Sequence, residues 1–234
     1  MAKKIILVLL LSSIFLQACR KGKEDPLFSI HSRTARVAGD WKIMKFDEKQ
    51  TTTYQYPNGS SLTQNFNRYF GPVNYEETTS DTGSSSQSYN GKISLSEFHF
   101  TKSGNWNSKI EYYLYVPQSV GGYYISKTRI EEEGKWEFNG KQGDLKNKET
   151  MELTTTSSNH FFYTYSTYLG TVIDSVADST YSTVEQKATW RLIGLSNTRM
   201  KAEINSENTF TSALPGLIGT QITNSKFTEI ELNQ

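Results

Sequence analysis

Apolar and polar residues alternate with a period of two through much of this chain, and that pattern sets the fold class. KIEYYLYV places Ile110, Tyr112, Leu114 and Val116 on one side and Glu111, Tyr113 and Tyr115 on the other. Alternation of this kind predicts a strand with one face buried. The same reading covers GDWKIMKF from Gly39, ISLSEFHF, GGYYISKTRIEEE, GKWEFNG, KETMELTTT, HFFYTYSTYL, the stretch around TVEQKATWRLIGL, RMKAEI and FTEIELNQ. In ISLSEFHF the phase shifts between Leu95 and Phe98, which predicts a bulge or bend. The 14 tyrosines and 12 phenylalanines agree with the pattern, since aromatic residues suit a pleated, half-buried surface.

Turn signals punctuate these segments: Pro57-Asn58-Gly59, Asn90-Gly91, Ser103-Gly104-Asn105, Gly121-Gly122 and Asn139-Gly140. Gly121-Gly122, between aromatic-rich strands, predicts a hairpin. TTSDTGSSSQS, residues 78–88, reads as a polar loop, and Leu214-Pro215-Gly216 as another before the last strand. Nine or ten strands joined by short turns, with little helix after residue 39, predict an all-β antiparallel sandwich or closed barrel.

The first strand is preceded by a helical pattern. Asp25-Pro26 fits a helix start, because Asp accepts bonds from first-turn amides and proline's missing N–H costs nothing there. Leu27, Ile30, Thr34 and Val37 then share a face, and Gly39 is placed as the stop.

Residues 1–18 read as a targeting segment: Lys3 and Lys4, an apolar stretch from Ile5 to Leu16, and small Ala18. The apolar stretch is short of the roughly 20 residues a transmembrane helix needs. Without Lys3 and Lys4, the 25 basic residues become 23 against 24 acidic ones. Such a balance lacks the basic excess of nucleic-acid binders, so no nucleic-acid partner is expected.

The one cysteine, Cys19, excludes an intrachain disulfide and a cysteine-based zinc cluster. Leu16-Gln17-Ala18-Cys19 resembles the lipobox of bacterial lipoproteins, with an aliphatic residue three before the cysteine. That resemblance implies a diacylglyceryl thioether and a palmitate-type amide chain on Cys19, hence membrane attachment through a lipid anchor. Two acyl chains, at about 0.8 kcal/mol per buried CH₂, make attachment effectively permanent. Residues 19–25 become a tether, and 26–234 the folded domain. Lys23-Glu24-Asp25 resembles the export signal of Bacteroidota surface lipoproteins, which implies the outer membrane, on its periplasmic side or at the cell surface.

Gly39-Asp40-Trp41, between the helix and the first strand, resembles the G-x-W signature of lipocalins. Together with SRTARVAGDWKI, GKWEFNGKQGDLKNKE and TWRLIGLSNTRMKAEI, it makes residues 24–234 similar to lipocalin-like lipoproteins of Bacteroidota. The resemblance implies a barrel of about 8–10 strands with a short N-terminal helix. It also implies that Trp41 closes the base and that Arg191 packs across that tryptophan. G-x-W recurs at Gly104-Asn105-Trp106 and Gly134-Lys135-Trp136, where tryptophan reads as a large apolar plug opening a strand. FTEIELNQ reads as strand where lipocalins carry a helix.

His31, His99 and His160 lie far apart and no H-x-H, H-E-x-x-H or G-x-S-x-G motif occurs, so neither a metal, a cofactor nor an enzyme is expected. Glu76-Glu77 and Glu131-Glu132-Glu133 read as solvated charge. Tyr112, Tyr113, Tyr115, Tyr123 and Tyr124 cluster on two strands, and Phe161, Phe162, Tyr163, Tyr165 and Tyr168 on another. Alternation sends successive rings to opposite faces, giving either cross-strand pairs or a contact surface. Two functions follow as expectations: carriage of a small apolar or amphipathic ligand in the barrel, or binding of glycan or a protein partner through exposed aromatic strands. Cys19→Ala is expected to release the protein from the membrane fraction on ultracentrifugation; persistence there would contradict the anchor.

Overall fold

The computed structural model describes residues 32–83, 86–117, 122–139, 150–168, 171–183, 185–212 and 217–234. Cys19, the targeting segment, the tether, the Asp25-Pro26 helix start and the Leu214-Pro215-Gly216 loop lie outside those residues. So do Gly121 of the expected hairpin and Gly140 of the Asn139-Gly140 signal.

The chain forms an antiparallel β-barrel preceded by a short helix. Helix α1 (Arg33–Val37) is capped by Ser32, whose Oγ accepts from the Ala35 amide at 3.1 Å. Eleven strands follow: β1 (Gly39–Gln55), β2 (Ser61–Phe70), β3 (Asn74–Asp81), β4 (Gln87–Phe100), β5 (Asn105–Pro117), β6 (Tyr123–Phe138), β7 (Thr150–Tyr168), β8 (Thr171–Ser182), β9 (Gln186–Leu195), β10 (Arg199–Thr211) and β11 (Gln221–Asn233). Ten of them close a ring through the β1–β11 and β6–β7 ladders, and β8 adds to the upper half of β7. Since β9 takes up the lower half of β7 where β8 leaves off, β8 and β9 act as one interrupted strand.

The barrel is not a uniform tube. Gly39–Lys42 of β1 pair with Glu97–Phe100 of β4, whereas Phe46–Gln55 pair with β2. The β2–β3 hairpin is therefore inserted only above the base. Around the base the order is β1-β4-β5-β6-β7-β9-β10-β11, eight strands; above it the wall widens to ten. An eight-stranded barrel is just wide enough to be filled by side chains, and this one is. All four tryptophans, Trp41, Trp106, Trp136 and Trp190, are buried there with Phe98, Phe100, Met151, Leu192, Met200 and Leu232. Phe100 meets Trp136 edge-on at 6.0 Å, and Phe98 meets Trp190 at 6.1 Å. The α1 helix covers this end: Trp41 Nε1 donates to the Val37 carbonyl at 2.8 Å, and the buried Arg36 guanidinium donates to the Leu195 carbonyl.

Several sequence expectations change. Residues 78–88 are loop only in part: Thr78–Asp81 belong to β3, Thr82 and Gly83 turn, and Gln87 and Ser88 open β4. Asn90-Gly91 is not a turn but lies within β4, where a Cβ on Gly91 would fall 1.9 Å from the Tyr113 carbonyl oxygen. Glycine is there for close backbone approach. Gly134 serves the same end at a bulge, its Cβ position being 1.9 Å from the Thr154 oxygen, and it joins two expected strands into the single β6. KETMELTTT and HFFYTYSTYL likewise merge into β7, while β2 and β8 were not expected at all. FTEIELNQ is strand, as its alternation indicates.

Trp41→Ala removes the central plug of the base and its bond to α1, and is expected to cost about 3–5 kcal/mol in urea unfolding. A loss under about 1 kcal/mol would mean that the base is held by something else.

Candidate functional site

Above the plug the inward-facing side chains change character. On β1 the buried side is carried upward by Phe46, Glu48, Gln50 and Thr52, as alternation requires. Glu48 is 2 % exposed, an expensive position for a carboxylate unless it is paired. Its partners come from the strands on either side. Arg68 on β2 is its direct cross-strand neighbour and reaches Oε1 at 2.9 Å; Lys226 on β11 reaches Oε2 at 2.6 Å.

Arg68 sits in an aromatic cradle, with its guanidinium carbon 5.7, 5.8 and 5.5 Å from the ring centres of Phe46, Phe66 and Phe70. Burial works against its charge, but the Glu48 carboxylate together with the Tyr112 and Tyr75 hydroxyls outweighs that and holds the Arg68 pKa above its usual value. Beside them the Tyr75 hydroxyl donates to Glu77, and burial followed by that bond pushes the phenol far above its ordinary range. The Tyr75 ring stacks on Tyr112 at 4.5 Å. Together these groups form a charged floor over the aromatic base.

Over the floor, on the β1–β4 side, lies a cleft of about 570 Å³ lined by Gln50, Thr52, Gln64, Phe66, Thr79 and Asp81, among others. The registers place all six on the inward face. The Tyr54 hydroxyl donates to the Gln64 side-chain oxygen at 3.2 Å, and the Tyr89 hydroxyl to that of Gln87 at 2.8 Å. Both amides are thus oriented by a tyrosine.

The opposite wall differs. β9 and β10 are zipped only from Met200↔Leu195 to Glu203↔Arg191. Above that, among the described residues, β8 pairs only with β7, and Ile204–Thr211 of β10 pair only with β11. The wall is open along this line. Phe162 and Val176 share the inward side of the β7–β8 ladder, opposite Thr128 and Thr164 respectively, and Phe210 opposes Ile222 on β11. These three apolar side chains are exposed, Val176 by 60 %. The cup therefore has a polar wall at β1–β4 and, at β7–β10, a gapped wall on which these three apolar side chains stand among polar ones such as Thr164, Asp178 and Asn208.

The residues singled out in the sequence do not gather into one site. Gly39 and Trp41 lie at the base. Arg191 does not pack across Trp41: its guanidinium lies on the outer wall, 3.5 Å from Glu203, because the neighbouring Trp190 and Leu192 take the inward positions. The buried arginines at the base are Arg33 and Arg36 of α1. The five clustered tyrosines split by alternation. Tyr112 and Tyr124 are on the inward side of their ladder, and Tyr113, Tyr115 and Tyr123 on the outward side. Outside, Tyr113, Tyr163 and Tyr165 with Phe161 and Val172 line a second cleft of about 570 Å³, bordered by Lys127 and Arg129. Lys127 lies over the Tyr113 ring at 5.4 Å and pairs with Glu111 at 3.0 Å.

Of the histidines, His99 contacts Asp40 at 2.5 Å on the outer wall. His160 faces inward, 2.9 Å from Ser158, near Glu132, whose carboxyl is pushed up by burial against the counter-effects of His160, Ser158 and Ser108. Glu132 is thus not the solvated charge expected. Among the described residues no three His, Cys, Asp or Glu side chains converge in a metal-binding arrangement.

The ion pairs of the floor escape a sequence reading because they join β1, β2 and β11. Phe66-Asn67-Arg68-Tyr69-Phe70 does carry a legible sign, an arginine with aromatic residues two positions away on either side. No family model, curated protein or solved structure matches the chain.

Arg68→Met leaves Glu48 buried with one partner and is expected to destabilise by about 3–5 kcal/mol. Adding Glu48→Met should recover most of that loss in chemical denaturation; a double variant no more stable than the single would assign the effect to lost packing on the three phenylalanines.

Proposed function

We propose that this chain is a non-enzymatic, lipid-anchored, lipocalin-like protein of an outer membrane that binds one small amphipathic ligand in the open cup. The observation that carries this reading is the pairing of unlike walls around one cup. Amide and hydroxyl groups line one side, and exposed Phe162, Val176 and Phe210 stand on the other. A plugged base and an open upper half make the barrel a vessel closed at one end. Pockets of this kind combine apolar area with a few placed polar groups that fix orientation. The G-x-W and lipobox resemblances support the same assignment, and the lipid anchor on Cys19 gives the location.

A second reading has its own observation, the aromatic cleft on the outer wall around Tyr113 and Tyr163. Flat amphipathic rings give contact area at low entropic cost, which suits a glycan or a protein of the cell envelope.

Native mass spectrometry of the protein extracted from its own membranes separates the two. The expected spectrum shows a small-molecule adduct that is lost in the Val176→Asp/Phe210→Asp double variant and kept in Tyr113→Ala/Tyr163→Ala. A barrel that is consistently empty, with glycan-array binding abolished by the tyrosine variant, would replace carriage with the outer-wall function.

A further inference from the structure

We infer that the cup selects an amphiphile whose head group is uncharged and rich in hydroxyls, of the alkyl glycoside type, over one with an anionic or a cationic head. The inference rests on the proposed carriage and concerns only the chemistry of the ligand.

The argument starts from the charges. The two cations that face inward over the floor, Arg68 and Lys226, are both committed to the buried Glu48 carboxylate. The further inward acids Glu77 and Asp81 make the β1–β4 wall more acidic than basic. Among the described residues an anionic head would find no unengaged cation there and would meet a repulsive field. A quaternary ammonium head is drawn by that field but carries no hydrogen-bonding group for the amides and hydroxyls of the cleft. Asp81, the carboxylate of the cleft, is already engaged, and Glu77 holds the Tyr75 hydroxyl.

What the cleft does offer is neutral hydrogen bonding. Thr52 and Thr79 are each donor and acceptor. Gln64 and Gln87 have their oxygens held by Tyr54 and Tyr89, and their NH₂ groups make no hydrogen bond to the described protein. Two oriented amide donors and two hydroxyls around the inward face of Phe66 suit a ring that carries hydroxyls on its edge and C–H groups on its face. The alkyl part then crosses the cup toward Phe162, Val176 and Phe210. In the strand order, β2 and β3 lie on the far side of the ring from the gap between β8 and β10, so the polar cleft and these apolar side chains face one another across the cup.

The test compares heads at constant chain length. Full-length protein in lipid nanodiscs is titrated calorimetrically with hexyl glucoside, hexyl sulfate and hexyltrimethylammonium, all below their micellar concentrations, with empty nanodiscs as baseline. Hexyl glucoside is expected to bind at least about tenfold more tightly than either ion, since the sulfate faces the inward carboxylates and the trimethylammonium head leaves the polar groups of the cleft unpaired. In Gln64→Leu/Gln87→Leu, checked for a wild-type circular dichroism spectrum, that preference should disappear. Equal or tighter binding of the sulfate or the ammonium compound, or a preference that survives in the double variant, overturns the head-group assignment and leaves carriage standing. Absence of binding by all three overturns both.

Discussion

The first strand of the barrel has two different partners on the same side, and the architecture depends on that division. Its first residues, Gly39–Lys42, bond to β4, and its later ones, from Phe46, bond to β2. A backbone edge holds one neighbour at a time, so the change of partner forces the β2–β3 hairpin to begin above the base. The result is a narrow end of eight strands and a wide end of ten. Width then decides content. Eight strands leave room for four tryptophans and two phenylalanines in contact, whereas the wider end holds a space that side chains do not fill.

Two closures follow from the same geometry. At the base the α1 helix seals the plug, through Trp41 donating to Val37 and Arg36 donating to Leu195. Between plug and cup the Glu48, Arg68 and Lys226 cluster separates an apolar interior from a wet one. A carboxylate buried to this degree is tolerable because two cations and an aromatic cradle stand where water would otherwise be. Placed lower it would disrupt the plug; placed higher it would be solvated and bind nothing together.

The sequence was most legible where the barrel is driest. GDWKIMKF, KIEYYLYV and FTEIELNQ alternate because one face meets packed side chains and the other meets water. SLTQNFNRYF, NYEETTSD and TVIDSVADSTYS form strands of similar regularity without so clear a pattern. Their inward faces mix Phe66, Phe70, Tyr75 and Val176 with Gln64, Arg68, Glu77 and Asp178, so the period-two signal is blurred although the backbone of each pairs with a neighbour. Asn90-Gly91 failed for a related reason: a dipeptide common in turns was placed where two backbones come too close for any side chain. The tyrosine cluster divided cleanly because alternation, unlike burial, holds in wet and dry parts alike.

The sequence by itself determined that the chain is all-β and antiparallel, that a short helix precedes the first strand, and that Trp41 and Trp106 open two of the strands, whereas Trp136 falls near the end of β6. Those conclusions rest on local periodicity and on residue size, which act within a few positions. Only the tertiary structure decided that the base has eight strands and the mouth ten. The same holds for Arg36 rather than Arg191 meeting the base, and for Glu48 finding its cations on β2 and β11. Each is a matter of register between segments distant in the chain. Register is set by the summed fit of many side-chain pairs across the sheet, a quantity no short stretch contains.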